Sequence, residues 1–270
     1  MRRRIAGSRE PSVERAGGEL TTWAVGDIHG DSEALERLLG RLVPRLKSSD
    51  TLVFLGDYID RGPDSRGVVE RVRSLEQTGP CKVVALRGNH EDTWARSFQS
   101  PNPAFLLHRG NGCAATWRSF TGQTPVGIDD EMSDDDIVQL LNVPSWLPPD
   151  VAAWMAARPA WYEDEHALYV HAGLDGEDKH WNHPSAGREK PLFWMREPDF
   201  FTGYEGKRVV FGHTRTRDLP TDHLGFFRRL LDHTADVWRR GDLIGVDTGA
   251  GMGGFLSAVS LPDLTVIESR

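Results

Sequence analysis

The chain has 270 residues, 39% of them apolar and 27% charged, the balance of a soluble globular protein with room for a substantial core. Its formal net charge of −8 argues against nonspecific nucleic-acid binding but leaves phosphorylated substrates open, because metal ions or a few arginines reverse the field locally. No apolar run approaches the roughly 20 residues that cross a bilayer, and two cysteines, Cys81 and Cys113, are too few for a disulfide scaffold; a cytoplasmic protein with no membrane partner is expected.

Residues 1–19 begin with basic residues but carry no apolar core behind them, so they read as a flexible tail and not as an export signal. TTWAV (21–25) is a short β-rich run that stops at GDIHG. In DSEALERLLGRLVPRL (31–46), Leu35, Leu38, Leu39, Leu42 and Leu46 recur at helical spacing behind an N-cap at Asp31. Gly40 and Pro44 weaken its second half and predict a kink or an early stop. TLVFL (51–55) reads as a strand ending at GDYIDRG, and Val68, Val69, Val72 and Leu75 mark a second helix. KVVAL (82–86) is a third strand run, ending at RGNHE. The order β-α-β-α-β predicts parallel strands joined by right-handed crossovers. Ligands of such sheets bind beyond the carboxyl ends of the strands. All three of those ends are polar and glycine-rich here.

Residues 92–160 change character, with Trp, Pro and short helical patterns, and are expected to form a small helical cap insertion. Ser133 before Asp134, Asp135 and Asp136 reads as an N-cap with an acidic first turn. Beyond residue 160, ALYV (167–170), KRVVF (207–211), LIGV (243–246), FLSAVSL (255–261) and LTVIE (264–268) read as strands. GAGMGG (249–254) spells G-x-G-x-x-G, but a strand run follows it, so a tight connection is expected there and not a dinucleotide site. His180 and His183 are expected in a surface loop. The nine tryptophans are expected to pack the interior, with Trp117 or Trp146 as alternative platforms for stacking a substrate.

Five motifs follow strand runs: GDIHG (26–30), GDYIDRG (56–62), RGNHE (87–91), HAG (171–173) and GHT (212–214). Together they supply Asp27, His29, Asp57, Asn89, His171 and His213. Two carboxylates, an amide oxygen and three imidazoles suit borderline divalent ions such as Mn, Fe or Zn. Calcium would demand more oxygens, and a structural zinc site would take four tight ligands, usually with thiolates. Six donors exceed what one catalytic ion needs; they suit two ions about 3.5–4 Å apart that share a bridging carboxylate. Arg61 and Arg87 sit in the same loops, and a guanidinium fork binds phosphate oxygens. The combination points to a phosphate ester or anhydride as substrate.

Across residues 22–268 this motif set resembles the phosphoprotein phosphatase family of binuclear metallophosphoesterases, in its shorter bacterial form. The resemblance implies an α/β fold, a four-layer sandwich of two mixed β-sheets flanked by helices, in one catalytic domain over 20–270. It implies that Asp27, His29 and Asp57 hold a first ion, that Asp57, Asn89, His171 and His213 hold a second, and that Asp57 bridges them. It makes His90 and Asp60 a catalytic dyad and Arg61 and Arg87 phosphate-binding arginines. The stretch LFWMRE adds Arg196 to them. VDTGAGMGG (246–254) stands where eukaryotic members carry Ser-Ala-Pro-Asn-Tyr, so their substrate grooves do not carry over.

The reaction implied is in-line attack of a metal-bridging hydroxide on a phosphomonoester, with Mn the leading metal. His90 would protonate the leaving alkoxide while Asp60 orients it. Phosphoserine or phosphothreonine in a protein is the leading substrate. Small phosphates or dinucleoside polyphosphates such as diadenosine tetraphosphate are the alternative. A monomer is expected, and Glu91 is left with a loop-bracing or helix-start role.

Overall fold

The computed structural model describes residues 20–124, 132–177, 180–221 and 236–270; the tail expected over 1–19 lies outside them. The chain opens on β1 (Thr22–Val25), α1 (Ser32–Leu42), β2 (Thr51–Phe54), α2 (Ser65–Thr78) and β3 (Lys82–Ala85). β1 pairs parallel with β2, and β2 parallel with β3. Asp31 caps α1 by accepting the Ala34 N–H at 2.9 Å. Leu35, Leu38, Leu39 and Leu42 are buried behind it, each worth roughly 1.5–3 kcal/mol over an exposed position. Gly40 is accommodated within α1, whereas Pro44 sits in a 3-10 turn, Val43–Arg45, that ends it. Asp64 caps α2 through the Gly67 N–H, and Val68, Val69, Val72 and Leu75 face the core.

Five helices follow: α3 (Asn89–Ser97), α4 (Pro103–Leu106), α5 (Cys113–Thr121), α6 (Asp134–Leu141) and α7 (Pro149–Ala156). Ser133 and Asp136 cap α6 reciprocally. Trp94, Phe105, Trp117, Leu140 and Trp154 join one apolar cluster with Trp23, Val25, Leu52 and Phe54 of the first strands. The helices after β3 therefore share the core of the first sheet. Trp117 is buried, and Trp146 packs edge-on against Trp94 with ring centroids 5.1 Å apart, so both serve packing and not substrate stacking.

The second half supplies β4 (Trp161–Glu163), β5 (Leu168–Val170), a small hairpin of β6 (Gly176–Glu177) and β7 (His180–Trp181), α8 (Lys190–Trp194), α9 (Pro198–Gly203) and β8 (Val209–Phe211). It closes with β9 (Trp238–Arg240), β10 (Leu243–Gly245), β11 (Ser257–Leu261) and β12 (Val266–Glu268). His180 is thus a strand residue of the hairpin. The exposed His183 lies 3.0 Å from Glu163.

One sheet runs β12-β11-β1-β2-β3 and the other β4-β5-β8-β10-β9. Both are mixed, because β11 pairs antiparallel with β1, and β4 and β9 pair antiparallel with β5 and β10. Strand alternation sets the layers. Ala24, Val53, Tyr169, Val210 and Ile244 meet in one cluster between the sheets. Their strand neighbours turn outward: Trp23, Val25, Leu52 and Phe54 toward the first helical layer, and Leu168, Val170, Val209 and Phe211 toward Leu192, Phe200 and Phe201 of α8 and α9. The result is helix, sheet, sheet, helix, the expected four-layer sandwich. GAGMGG forms the glycine-rich turn between β10 and β11.

Candidate binuclear metal centre and catalytic dyad

The loops after β1 and β2 are zipped together by their backbones. Ile28 and His29 donate to the Asp57 carbonyl at 3.0 and 2.9 Å, Gly30 to Tyr58 at 2.8 Å, and Gly62 back to His29 at 2.9 Å. This path, with the loop after β8, holds residues with side chains in the left-handed region: His29 (φ 46°), Asp57 (51°), Asp60 (72°), Arg61 (69°) and, after β8, His213 (60°). Among the described residues only Leu264 joins them. Such conformers cost of order 1–3 kcal/mol each and persist where the surroundings over-determine them. Two glycines let backbone and carboxylate approach. A Cβ on Gly88 would stand 2.2 Å from Asp57 Oδ1, and one on Gly212 would stand 2.0 Å from Asp27 Oδ1.

These loops bring all six predicted donors into one buried cluster. Asp57 stands at its centre. Its Oδ2 lies 3.4 Å from His29 Nε2, and its Oδ1 lies 3.4 Å from His171 Nε2. One carboxylate thus presents one oxygen to each half of the site. On the first side, Asp27 Oδ2 is 3.8 Å from His29 Nε2. On the other, Asn89 Oδ1 is 2.9 Å from both His171 Nε2 and His213 Nδ1, which are 3.2 Å from each other. The far nitrogens are occupied: His29 Nδ1 meets the Ile59 carbonyl and His171 Nδ1 the Leu55 carbonyl, both at 2.9 Å. That fixes the tautomers and leaves Nε2 of each ring to face the cluster. Asp27 also accepts the His213 N–H, which ties the β8 loop to the β1 loop.

The charge states suit a metal centre. Burial pushes His29, His171 and His213 below the usual imidazole range, which keeps their lone pairs free. Burial alone would raise Asp57, but His171, His90, His29 and His213 outweigh it and hold the carboxyl below its usual range. Asp27 is raised by burial and by the carboxylates of Asp247 and Asp57. Arg61 offsets only part of this concentration of acid, and divalent ions would relieve the rest. Among the described residues, the buried His213 Nε2 and Asp247 Oδ2 find no hydrogen-bond partner. The donor set therefore fits two borderline divalent ions, with Asp27, His29 and Asp57 on one side and Asp57, Asn89, His171 and His213 on the other.

Beside the cluster, His90 Nδ1 lies 2.5 Å from Asp60 Oδ2. Asp60 is wholly buried and held by further donors: Trp94 Nε1 at 3.0 Å, Thr116 Oγ1 at 2.5 Å and Cys113 Sγ at 3.4 Å. Its backbone N–H goes to Ser65 and Thr116. In the sequence, Trp94, Thr116 and Cys113 do not stand out as supports of Asp60. One signal was available, since Trp94 lies four residues beyond His90 on α3 and so on the same helical face. Glu91 braces a loop and starts a helix, as expected. It accepts the N–H groups of Asp57, Tyr58 and Gly88 and completes the cap of α3.

The three arginines differ. Arg61 Nη1 contacts His29 Nε2, and its Nη2 is 3.5 Å from His90 Nε2. Arg196 is exposed and lies near enough to the second half of the site for its charge to help lower His171 and His213. Arg87 lies on the flank, paired with Glu189 at 2.6 Å.

Comparison with known proteins agrees with this geometry. The chain is 26% identical over 287 aligned residues to a symmetrical bis(5'-nucleosyl)-tetraphosphatase of Nitrosospira multiformis, covering 93% of this chain and 96% of that protein. It is 40% identical over 198 residues to the serine/threonine-protein phosphatase 6 catalytic subunit of Drosophila melanogaster, covering 72% of this chain and 57% of that one. Among solved structures, a putative diadenosine tetraphosphatase superposes with a TM-score of 0.60 at 23% identity, covering 92% of each chain. The profile of the calcineurin-like phosphoesterases matches residues 20–216. With the four-layer fold and the converging donors, that match makes the chain a member of the calcineurin-like metallophosphoesterases, hydrolases built around a divalent metal centre.

Proposed function

We propose that the protein is a phosphomonoesterase that removes phosphate from phosphoserine and phosphothreonine in proteins, with Mn as its metal. The observation that carries this reading is the His90–Asp60 contact at 2.5 Å. A serine alkoxide is a poor leaving group and needs a proton in the transition state. Asp60, held by Trp94, Thr116 and Cys113, orients His90 Nδ1, which leaves Nε2 to deliver that proton. Asp27, His29, Asp57, Asn89, His171 and His213 would hold two divalent ions, whose Lewis acidity would serve the phosphoryl group and the attacking water. Arg61 and Arg196 neutralise charge on the equatorial oxygens.

A second reading, hydrolysis of dinucleoside polyphosphates, has its own support. The tetraphosphatase from Nitrosospira aligns over nearly its whole length. Trp194, 40% exposed, stands edge-on to His213 at 6.0 Å and offers a flat surface to a nucleobase. Its leaving group is a phosphate, which departs as an anion and needs the proton less. A turnover panel with Mn decides between the two: phosphoserine and phosphothreonine peptides against diadenosine tetraphosphate and simple monoesters. Preference for the peptides by kcat/KM is the expected result. Preference for the dinucleotide would replace the first reading with the second.

A further inference from the structure

Arg87 touches three helices of the fold or the residues beside them. Its Nη2 lies 2.6 Å from Glu189 Oε1, its Nη1 3.3 Å from the Ala156 carbonyl of α7 and 3.7 Å from Asp92 Oδ1 of α3. Its guanidinium carbon stands 5.0 Å from the centre of the Phe193 ring in α8. Its own backbone N–H donates to the Pro159 carbonyl. Arg87 thus joins the β3 loop, α3 and α7 to the segment that leads into α8.

That segment hangs over the reaction site. Glu189 immediately precedes α8, Trp194 ends it, and Arg196 follows two residues later. Trp194 packs edge-on against the metal-facing ring of His213 and, at 6.1 Å, against Phe105. Phe105 in turn meets His90 at 5.1 Å. A helix of five residues cannot hold itself in place by backbone bonds alone. Leu192 anchors its middle, through a buried side chain and a carbonyl that accepts the Ala172 N–H. The leading end is gripped by the Arg87–Glu189 pair.

We infer that Glu189 is a positioning residue for substrate phosphate. Through Arg87 it latches α8 across the β3 loop, and so fixes where Arg196 and Trp194 stand over the metal centre. The inference rests on the phosphoesterase reading only for what Arg196 binds; the latch itself is a statement about α8. It reverses the simplest expectation for the pair. If Arg87 were a direct phosphate clamp, Glu189 would compete with phosphate for it, and removing Glu189 would tighten phosphate binding.

The test compares Glu189→Ala, Glu189→Gln, Arg87→Ala and the Arg87→Ala/Glu189→Ala double variant, each loaded with Mn. Inorganic phosphate affinity is read by calorimetry, and backbone amide exchange is read across residues 190–196. The latch predicts that Glu189→Ala and Arg87→Ala each weaken phosphate binding by about 3–10-fold, that the double variant is no worse than either, and that Glu189→Gln is intermediate. Exchange across 190–196 should quicken in all four. Tighter phosphate binding in Glu189→Ala, additive losses in the double variant, or unchanged exchange would each overturn the latch. If the wild-type protein turned over no phosphoester, the function would fall, while the exchange measurement would still judge the latch on its own.

Discussion

Glu91 grips the backbone of Asp57: its Oε2 accepts the Asp57 N–H at 2.8 Å while its Oε1 takes the next N–H, that of Tyr58, at 2.9 Å. Asp57 offers one oxygen to each side of the metal cluster, so the bend that aims it is held by a residue outside the six donors. Removing such a support typically costs 10–100-fold in metal affinity. Glu91→Ala should therefore lose about 10–100-fold in Mn affinity by calorimetry, with Glu91→Gln less affected because one oxygen still accepts. Wild-type affinity in Glu91→Ala would show that the bend holds itself.

The same residue gives the metal-free protein an unusual pH profile. Burial and the neighbouring Asp57 carboxylate push Glu91 up to about 8. A carboxyl raised in the folded state binds a proton that the unfolded chain has released, so its stabilisation fades as pH rises toward 8. His29, His171 and His213 are lowered, which destabilises the fold only below about pH 6.5, where the unfolded imidazoles take up protons. Their contribution levels off by about pH 7.5, and Asp27, also raised, acts in the same direction as Glu91. Stability without metal should fall by about 0.5–1 kcal/mol between about pH 7 and 8. Glu91→Gln should flatten that slope in denaturant titrations. An equal slope in the variant would exclude Glu91 as its source.

The dyad sets the leaving-group dependence. His90→Asn should lower kcat by about 10²–10⁴-fold on phosphoserine peptides, and by much less on nitrophenyl phosphate, whose phenolate leaves without a proton. Trp94→Phe removes one donor to Asp60 and keeps the others, so it should show the same pattern at smaller size. Equal losses on both substrates would argue against His90 as the acid.

Chelation should abolish activity, and Mn should restore it. The six buried donors around Asp57 are the residues that would hold the ions that activate water. Full turnover in a sample shown to be metal-free would exclude a metal-dependent mechanism.

Much of this architecture is legible in the sequence, for physical reasons. Residues 52–55 (LVFL) and 83–86 (VVAL) are apolar without interruption because their strands lie between a helical layer and a second sheet. Their polar ends then name the site directly, since strand ends carry the ligands. β4, β9 and the β6–β7 hairpin are two or three residues long, too short to show a period. The supports of Asp60 are hidden for another reason. Trp94, Cys113 and Thr116 look like ordinary core residues, and α5 meets the β2 loop only through the tertiary fold. Glu189 is more distant still, 102 positions from Arg87.

The left-handed backbone at His29, Asp57, Asp60, Arg61 and His213 sets thermal endurance against turnover. Glycine relaxes such a conformer, so Arg61→Gly should raise the melting temperature while disabling the enzyme. A library selected for heat resistance alone would therefore drift toward inert proteins, with losses concentrated at these five positions. Directed evolution of this scaffold needs a turnover screen beside every stability screen.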